Sequence, residues 1–412
     1  MKILLLSQFY WLESRFHFEE EGGVVRQLAE TLAGLGHEVV VLTQSSEVQK
    51  LKKIQVGRLE TWASPRDQSR NFMTGLRDRW ARKTYGYGQV HSDVLALKEF
   101  LQRRGKFDVI WAHAESPDGL TVALAAQQGV KVPPMVLQVQ ALRVRYQNGA
   151  PVFVDKRPLG LAFRRAKLIL PVSELIADNL LQYAPPGPAA AEELKAKIHV
   201  VYPNVQRAFL RAGEERPTVP GPMRDRILFL GALNQHKGAI NFLRALPKTE
   251  ASHRNSVFVV VGDFTEYNAK FIQRWETEKE LARMQLTGAR VEYLNRVSAV
   301  EVIRQIKLAR AVVIPSLYDA FARGVVEALL IGRPVITTER VGASPLVRDH
   351  QCGIVMPPND PDALARAIDI ILSPVVPFTE NAEHVGRRLM HEFSPESIAR
   401  QIEKHLVDAI AH

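Results

Sequence analysis

The 412-residue sequence has one cysteine, Cys352, so the chain cannot form an internal disulfide. A fold held together by disulfides is therefore excluded, and the composition suits a reducing cytoplasm. The sequence also has no low-complexity tract, and no apolar run approaches the ~18–20 residues that span a membrane. With 46% hydrophobic and 24% charged residues, it has the composition expected of a soluble protein.

The N-terminus lacks the features of a secretion signal. Met1–Trp11 is apolar, but it has neither a basic leader nor a small-residue cleavage site, and acidic residues follow at Glu13 and Glu19–Glu21. We therefore predict a first core strand here.

The sequence also lacks clusters of His and Cys with metal-ligand spacing. The acidic pair in Asp360-Pro361-Asp362 precedes a helical pattern, which indicates a helix cap, so no metal site is predicted.

The net charge of +10 is concentrated in one part of the chain. Residues 51–106 carry 13 Lys and Arg against 5 Asp and Glu, which favours a local anionic partner. Within 66–106, Phe72, Leu76 and Trp80 share one helical face. Basic residues surround this face: Arg70, Arg77, Arg79, Arg82 and Lys83. The pattern fits a helix that lies on an anionic surface, or a helix that docks on its own domain with its arginines in water.

Apolar strand patterns alternate with helical patterns from the first residues onward. Lys2–Ser7 and Val39–Thr43 read as buried strands, and Val24–Leu35 between them has the apolar spacing of a helix. Gly22-Gly23 opens that helix, where the backbone of a β–α–β unit often approaches a ligand closely. The strand Phe107–Ala112 is followed by His113, and the carboxyl ends of parallel strands are where such sheets bind ligands.

A second alternation of strands and helices begins after residue 224. Residues 207–224 are rich in Pro, Gly and charge, which predicts a linker. Strand patterns at Ile227–Gly231 and Val257–Gly262 then resume the alternation. Two successive β/α halves joined by a linker predict two Rossmann-like domains that face a cleft.

Residues 311–338 carry the most specific pattern in the chain. Ala311–Pro315 reads as a buried strand, and Phe321–Ile331 reads as a helix that ends at Gly332. Asp319 and Glu327 lie in the turn and on the helix, and the free N–H groups of the helix start could receive an anion. A plain strand–helix unit with an N-capping Asp and a solvated Glu is the alternative.

This stretch resembles the donor-site motif of the retaining GT-B glycosyltransferases of the glycogen-synthase-like, or GT4, type. That motif has two Glu residues eight positions apart around Phe-Gly. Here Asp319 stands for the first Glu, Phe321 matches, Ala322 replaces the Gly, and Glu327-Ala328-Leu329 closes the motif. The resemblance implies the α/β GT-B fold, with two Rossmann-like domains facing a cleft and a C-terminal helix that crosses back to the first domain.

The expected domains follow from the resemblance and the linker. They are an acceptor domain at 1–206, a linker at 207–224, a nucleotide-sugar donor domain at 225–390, and a C-terminal helix at 391–412 that packs on the first domain.

The resemblance also assigns roles at the donor site. Lys237 matches the lysine that neutralises the donor diphosphate, whereas Ala232 stands where the family has an arginine. Arg296 or Arg323 is the candidate replacement; otherwise diphosphate binding is weakened. The expected catalytic residues are His113, Lys237, Asp319 and Glu327. The expected donor-binding residues are Gly22, Gly23, Gly262, Arg296, Ala320, Phe321, Ala322 and Arg323.

Each carboxylate and amide has an expected partner in this resemblance. Glu327 would take the ribose hydroxyls and Asp319 the sugar hydroxyls, while the amides of Phe321–Arg323 would face the phosphates. His113 would lie in the sugar pocket.

The resemblance implies a retaining, metal-independent hexosyltransferase that uses a nucleotide-diphosphate sugar as co-substrate and needs no cofactor. The expected acceptor is a glycolipid or a cell-surface glycan precursor. The expected location is the cytoplasm, with peripheral contact between 66–106 and an anionic membrane, and no nucleic acid is expected as a partner. Two alternatives stay open: a GT-B sugar-nucleotide epimerase, or a catalytically inactive GT-B partner subunit, which Ala232 and Ala322 would explain.

Overall fold

The computed structural model describes most of the chain and divides it into two compact units. The described residues are 1–8, 23–45, 47–65, 79–81, 83–84, 87–142, 144–147, 150–153, 156–183, 187–215, 225–234, 236–249, 256–262, 279, 290–295, 297–373 and 377–411. The first unit comprises Met1–Asn204 and Pro395–His412, and the second comprises Val205–Ser394.

The strands are β1 (Lys2–Leu6), β2 (Glu38–Ser45), β3 (Lys52–Val56), β4 (Leu59–Pro65), β5 (Val109–Ala112), β6 (Met135–Val139), β7 (Val144–Gln147), β8 (Ala150–Phe153), β9 (Leu168–Pro171), β10 (Arg226–Leu230), β11 (Val257–Val261), β12 (Arg290–Leu294), β13 (Ala311–Ile314), β14 (Val335–Thr338) and β15 (Gly353–Met356). The α-helices are α1 (Val24–Gly34), α2 (Val90–Arg104), α3 (Leu120–Gln127), α4 (Lys156–Arg165), α5 (Glu174–Leu180), α6 (Pro188–Ala196), α7 (Arg207–Glu214), α8 (Ala239–Ala245), α9 (Ala299–Leu308), α10 (Arg323–Leu330), α11 (Ser344–Asp349), α12 (Pro361–Leu372), α13 (Phe378–Glu392) and α14 (Pro395–Ala411).

The first unit is built on a sheet with the order β3-β4-β2-β1-β5-β6-β9. Its neighbours pair in parallel except for β3 and β4, which form an antiparallel edge. From β1 the chain winds outward through β2 to β4 and then returns to β5 on the other side. The strand order therefore reverses between β1 and β5, and ligands bind such sheets at this switch point.

The second unit has a fully parallel sheet with the order β12-β11-β10-β13-β14-β15. Its central strands are continuous apolar runs because helices cover both faces of a parallel sheet. The switch point lies between β10 and β13, where Phe229 is opposite Val313. The loops that leave these two strands, 231–238 and 315–322, therefore meet at one place.

The C-terminal helix α14 packs into the core of the first unit. Ile398, Ile402 and Leu406 are buried in one cluster with residues of α1 and of the sheet. The spacing of these residues gives one apolar stripe, which α14 buries against α1. His37 Nε2, just after α1, also lies 2.6 Å from Glu403 Oε1 of this helix. The two parallel-sheet α/β units have the Rossmann-like architecture that the sequence predicts.

The structure differs from the predicted linker in its first half. Residues 207–214 form α7, which belongs to the second unit. Phe209 and Ala212 lie on one face of α7 and are buried, and the backbone of Gly213 approaches Leu330 so closely that a Cβ there would be 2.6 Å from its carbonyl oxygen. The charges between these apolar residues lie on the outer face of a helix, and they do not mark a linker. Residues 216–224 lie outside the described residues.

The basic segment 66–106 is described only in part. Residues 66–78 lie outside the described residues, and with them Phe72, Leu76 and Arg77. From residue 90 onward the segment is α2, which buries Val94, Leu97 and Phe100. Trp80 is 53% exposed and stacks on His91, with ring centroids 5.9 Å apart.

Candidate donor site and switch-point residues

An ion pair joins the two loops at the switch point of the second unit. Lys237 Nζ, from the loop after β10, contacts Asp319 Oδ2, from the loop after β13. The same loops are tied by their backbones, because Leu317 N–H donates to the His236 carbonyl at 2.7 Å. The Lys237 side chain is 36% exposed and that of Asp319 is 12% exposed. The structure therefore brings together two of the predicted catalytic residues.

The other oxygen of the Asp319 carboxylate caps the start of the following turn. Asp319 Oδ1 accepts hydrogen bonds from Phe321 N–H at 3.3 Å and Ala322 N–H at 3.0 Å. Ala322 then takes a left-handed conformation, with φ 62°, and α10 begins only at Arg323. The helix was predicted to begin at Phe321. It begins two residues later because the Asp319 side chain holds the intervening amides in a capped turn.

Two glycines allow the loops to approach each other. Gly238 has φ 73°, and a Cβ at this position would lie 2.1 Å from the Pro315 carbonyl oxygen. A Cβ on Gly262 would lie 1.9 Å from the Gly231 carbonyl oxygen. Neither position can take a side chain without moving the backbone, so these glycines keep the loops of β10, β11 and β13 in close contact.

Glu327 and Arg323 lie one helical turn apart on α10. Burial raises the pKa of the Glu327 carboxyl above its usual range, and the Arg323 charge opposes this rise. In the adjoining loop, burial lowers the pKa of His236, the Lys237 charge lowers it further, and Asp319 opposes both. The second unit thus places one carboxylate on the helix and another in the turn before it.

Two predicted donor-binding residues, Gly22 and Arg296, lie outside the described residues. Ala320, between Asp319 and Phe321, is part of the capped turn. Ala232 stands in the loop after β10, where its carbonyl accepts from Asn234 N–H at 2.9 Å. Asn234 Oδ1 in turn accepts from Lys237 N–H at 3.0 Å, so this loop is held by its own polar groups.

His113 and Gly23 belong to the first unit. His113 follows β5 at the switch point and is 5% exposed. Its Nδ1 lies 3.5 Å from Ser7 Oγ after β1, and its Nε2 lies 3.0 Å from Gln140 Nε2 after β6. These two contacts hold the imidazole ring in one orientation. Gly23 precedes the first turn of α1 in an extended conformation.

A buried acidic cavity lies beside this switch point and was not predicted. Its volume accessible to a water-sized sphere is about 20 Å³, and Asp93, Asp118 and Thr121 line it. Gln44 Nε2 donates to Asp93 Oδ1 at 2.7 Å. Among the described residues, Asp118 Oδ2 and Thr121 Oγ1 are buried without a hydrogen-bond partner. The volume fits a single water or hydroxyl group.

This environment disfavours the ionised form of Asp118. Burial raises the pKa of its carboxyl well above the usual range, and the nearby charges of Asp93 and Glu115 raise it further. Two acidic residues, Glu115 and Asp118, follow soon after β5, and this pair in the sequence could have indicated an acidic site. The sequence does not indicate that Asp93 belongs to it, because α2 brings Asp93 to the same place from another part of the chain.

The fold and the site together define a two-unit α/β protein of the GT-B class, in which Lys237 and Asp319 meet at the switch point of the second unit. Comparison with known families identifies it further. Residues 214–388 match the family described as "Glycosyl transferases group 1", and residues 22–192 match the "Glycosyl transferase 4-like domain". The chain belongs to the group 1 glycosyltransferases, as its resemblance to the GT4 type predicted.

Similar proteins match this chain over nearly all of their length, one curated relative in sequence and two solved structures in fold. The chain is 23% identical to a protein named glycogen synthase from Mycobacterium tuberculosis over 409 residues, which is 97% of this chain and 92% of the relative. A sucrose-phosphate synthase structure from Thermosynechococcus elongatus has a TM-score of 0.74 at 18% identity, with 100% of this chain and 99% of that chain covered. The Anabaena Alr3699/HepE structure in complex with UDP-glucose has a TM-score of 0.69 at 17% identity, with coverages of 99% and 100%.

Two negative findings apply to the described part of the chain. None of its helices is both long enough and apolar enough to cross a membrane. Nor does it contain a cluster of three or more His, Cys, Asp or Glu side chains arranged to hold a metal ion.

Proposed function

We propose that this glycosyltransferase moves a sugar from a nucleotide-diphosphate sugar to an acceptor with retention of the anomeric configuration and without a metal ion. The observation that carries the proposal is the meeting of Lys237, Asp319 and the start of α10 at the switch point. A lysine ammonium beside the first N–H groups of a helix is a site for a diphosphate. Lys237 would then stabilise the charge that develops on the leaving diphosphate, which is the role a metal ion has in other transferases.

The remaining residues have distinct roles in this proposal. Glu327 would accept hydrogen bonds from the ribose hydroxyls, and Asp319 from hydroxyls of the sugar. The leaving phosphate would assist deprotonation of the acceptor hydroxyl, which attacks on the same face of the sugar. His113, with its ring orientation fixed by Ser7 and Gln140, would set the polarity around the reacting sugar. The HepE complex with UDP-glucose supports a nucleotide-sugar donor for this fold.

The donor can be identified before the acceptor is known. UDP-, GDP- and ADP-sugars are screened by thermal shift, since a ligand that binds only the folded state raises its melting temperature by mass action. The donor that binds is then tested for turnover with Lys237→Met and Glu327→Gln. Lys248→Met is the matched control, because Lys248 also pairs with an aspartate, at 2.8 Å, but at a surface position of the same unit.

We expect both site variants to lose most transfer activity and the control to keep it. Transfer by Lys237→Met at the wild-type rate would move the donor site elsewhere. The products also separate the alternatives, because an epimerase releases a free epimerised sugar and an inactive subunit releases nothing.

The same proposal places the acceptor near an anionic membrane surface. Trp80 and Leu95 are exposed apolar side chains, and Arg79, Lys83 and Lys98 are exposed basic ones in the same segment. Each basic residue near an anionic surface contributes about 1 kcal/mol, which salt screens. Flotation with anionic and neutral vesicles tests this contact. We expect binding of anionic vesicles at low salt and its loss when the three basic residues are changed to serine. Wild-type protein that ignores anionic vesicles would favour a soluble acceptor.

A further inference from the structure

Three donors hold the carboxylate of Asp319 and occupy both of its oxygens. Lys237 Nζ contacts Oδ2, while the N–H groups of Phe321 and Ala322 donate to Oδ1. The carboxylate is largely buried by these contacts, whereas Lys237 remains open to solvent on one side.

This donor set is the one that a phosphate oxygen would use. An ammonium group and consecutive backbone N–H groups of a turn are common partners of phosphate, because the ammonium is charged and the amides carry partial positive charge. A carboxylate and a phosphate compete for the two amides, because each backbone N–H is a single donor, and two anions beside the same ammonium group repel each other.

We propose that Asp319 is an internal competitor for the donor phosphate. Its carboxylate occupies the anion-binding position made by Lys237 and the two amides, and a phosphate must displace it. Displacement frees the carboxylate for a second task, recognition of a sugar hydroxyl. Binding of the diphosphate and recognition of the sugar are then coupled through this one side chain. The inference rests on the proposed function, because it assumes a diphosphate at Lys237.

Stabilisation of the turn before α10 is the alternative role for Asp319, and the chain contains a comparison. Asp360 caps α12 with two contacts at the same spacing, to Asp362 N–H at 3.0 Å and Ala363 N–H at 2.9 Å. Asp319 differs in its position three residues before the N-cap of α10 and in its contact with Lys237. A purely structural role predicts that substitution changes stability, whereas an internal competitor predicts that substitution changes anion affinity.

The test measures binding of inorganic pyrophosphate, UDP, ADP and GDP by titration calorimetry. Asp319→Asn keeps an oxygen that accepts from the two amides but removes the charge that holds Lys237. Asp319→Ser is the second variant, since serine also caps such turns. Asp360→Asn is the control, with the same chemical change at the matched cap. Thermal unfolding establishes that each variant is folded.

We expect Asp319→Asn to bind pyrophosphate and the preferred nucleoside diphosphate about fivefold more tightly than wild type, with no change for Asp360→Asn. Fivefold is the gain expected when the anion no longer has to break the partly exposed Lys237–Asp319 ion pair in order to bind. In a Lys237→Met background the gain should vanish, because no lysine remains to be released. A gain that persists there reflects simple charge repulsion and overturns the inference.

The inference and the proposed function fail in different ways. Wild type that binds the probes as tightly as Asp319→Asn and Asp319→Ser overturns the internal competitor and leaves the donor site in place. Absence of binding by every protein, including wild type, overturns both.

Discussion

Replacement of Gly238 by alanine should destabilise the second unit and abolish donor binding, although it adds only one methyl group. Gly238 precedes α8 with φ 73° and ψ 21°. A left-handed conformation costs alanine about 1–2 kcal/mol relative to glycine. The new Cβ would also lie 2.1 Å from the Pro315 carbonyl oxygen, which is backbone and cannot rotate away. Relief requires the loops to separate, at about 1–3 kcal/mol for an overpacked contact.

The expected loss combines these terms. Alanine lowers the conformational entropy of the unfolded chain, and this effect cancels about 0.4–1 kcal/mol of the strain and overpacking costs. The net loss in the free energy of unfolding is therefore about 2–4 kcal/mol. For a domain of this size that lowers the melting temperature by about 4–16 °C. Since Gly238 adjoins Lys237, separation of the loops also draws the Lys237 ammonium away from Asp319.

Calorimetry of the two variants Gly238→Ala and Gly129→Ala checks this reasoning. Gly129 follows the end of α3 with φ 79°, but a Cβ there would meet nothing within 4 Å, so it reports the backbone strain alone. We expect a small loss for Gly129→Ala, a much larger one for Gly238→Ala, and loss of nucleotide binding only in the latter. Equal losses in the two variants, with nucleotide binding retained, would refute the claim that the contact with Pro315 fixes the site.

Two further predictions concern the first unit. If His113 lies at the sugar, as proposed, His113→Ala should lower turnover more than it weakens donor binding, and steady-state kinetics beside nucleotide titration would separate the two effects. A collapse of nucleotide affinity would instead assign His113 to the phosphate site. Asp118→Asn should flatten the dependence of stability on pH. Because the pKa of Asp118 is raised in the folded state, the folded state of wild type binds more protons than the unfolded state. Its free energy of unfolding therefore falls as pH rises above the usual carboxyl pKa of about 4. Urea denaturation at several pH values measures this slope, and an unchanged slope in the variant would contradict a raised pKa of Asp118 in the folded state.

The sheets were largely predictable because parallel strands covered on both faces read as continuous apolar runs. The predicted strands Lys2–Ser7, Phe107–Ala112 and Ala311–Pro315 contain β1, β5 and β13. The antiparallel edge of β3 and β4 was not predicted, since an edge strand such as Lys52–Val56 mixes polar and apolar residues and has no strong period.

Contacts between distant residues were the part that the sequence could not supply. Lys237 and Asp319 are 82 positions apart, and only the strand order of the second sheet brings them together. Arg333 is a similar case. The sequence indicates only a helix stop at Gly332-Arg333-Pro334, whereas the structure buries the Arg333 guanidinium against the carbonyls of Ile306 and Lys307 at the end of α9. There its charge meets the negative end of the helix dipole.

The departures from the family motif act together in the turn before α10. Where the family has glycine, Ala322 holds a left-handed conformation with φ 62°, at a cost of about 1–2 kcal/mol. The Asp319 carboxylate offsets this strain by accepting the Ala322 N–H at 3.0 Å. A glutamate at 319 would carry its carboxylate one methylene further from these amides. The aspartate therefore suits an alanine at 322, and the same short reach holds its carboxylate on the amides of Phe321 and Ala322. A donor that takes those amides must consequently shift the turn that Asp319 stabilises.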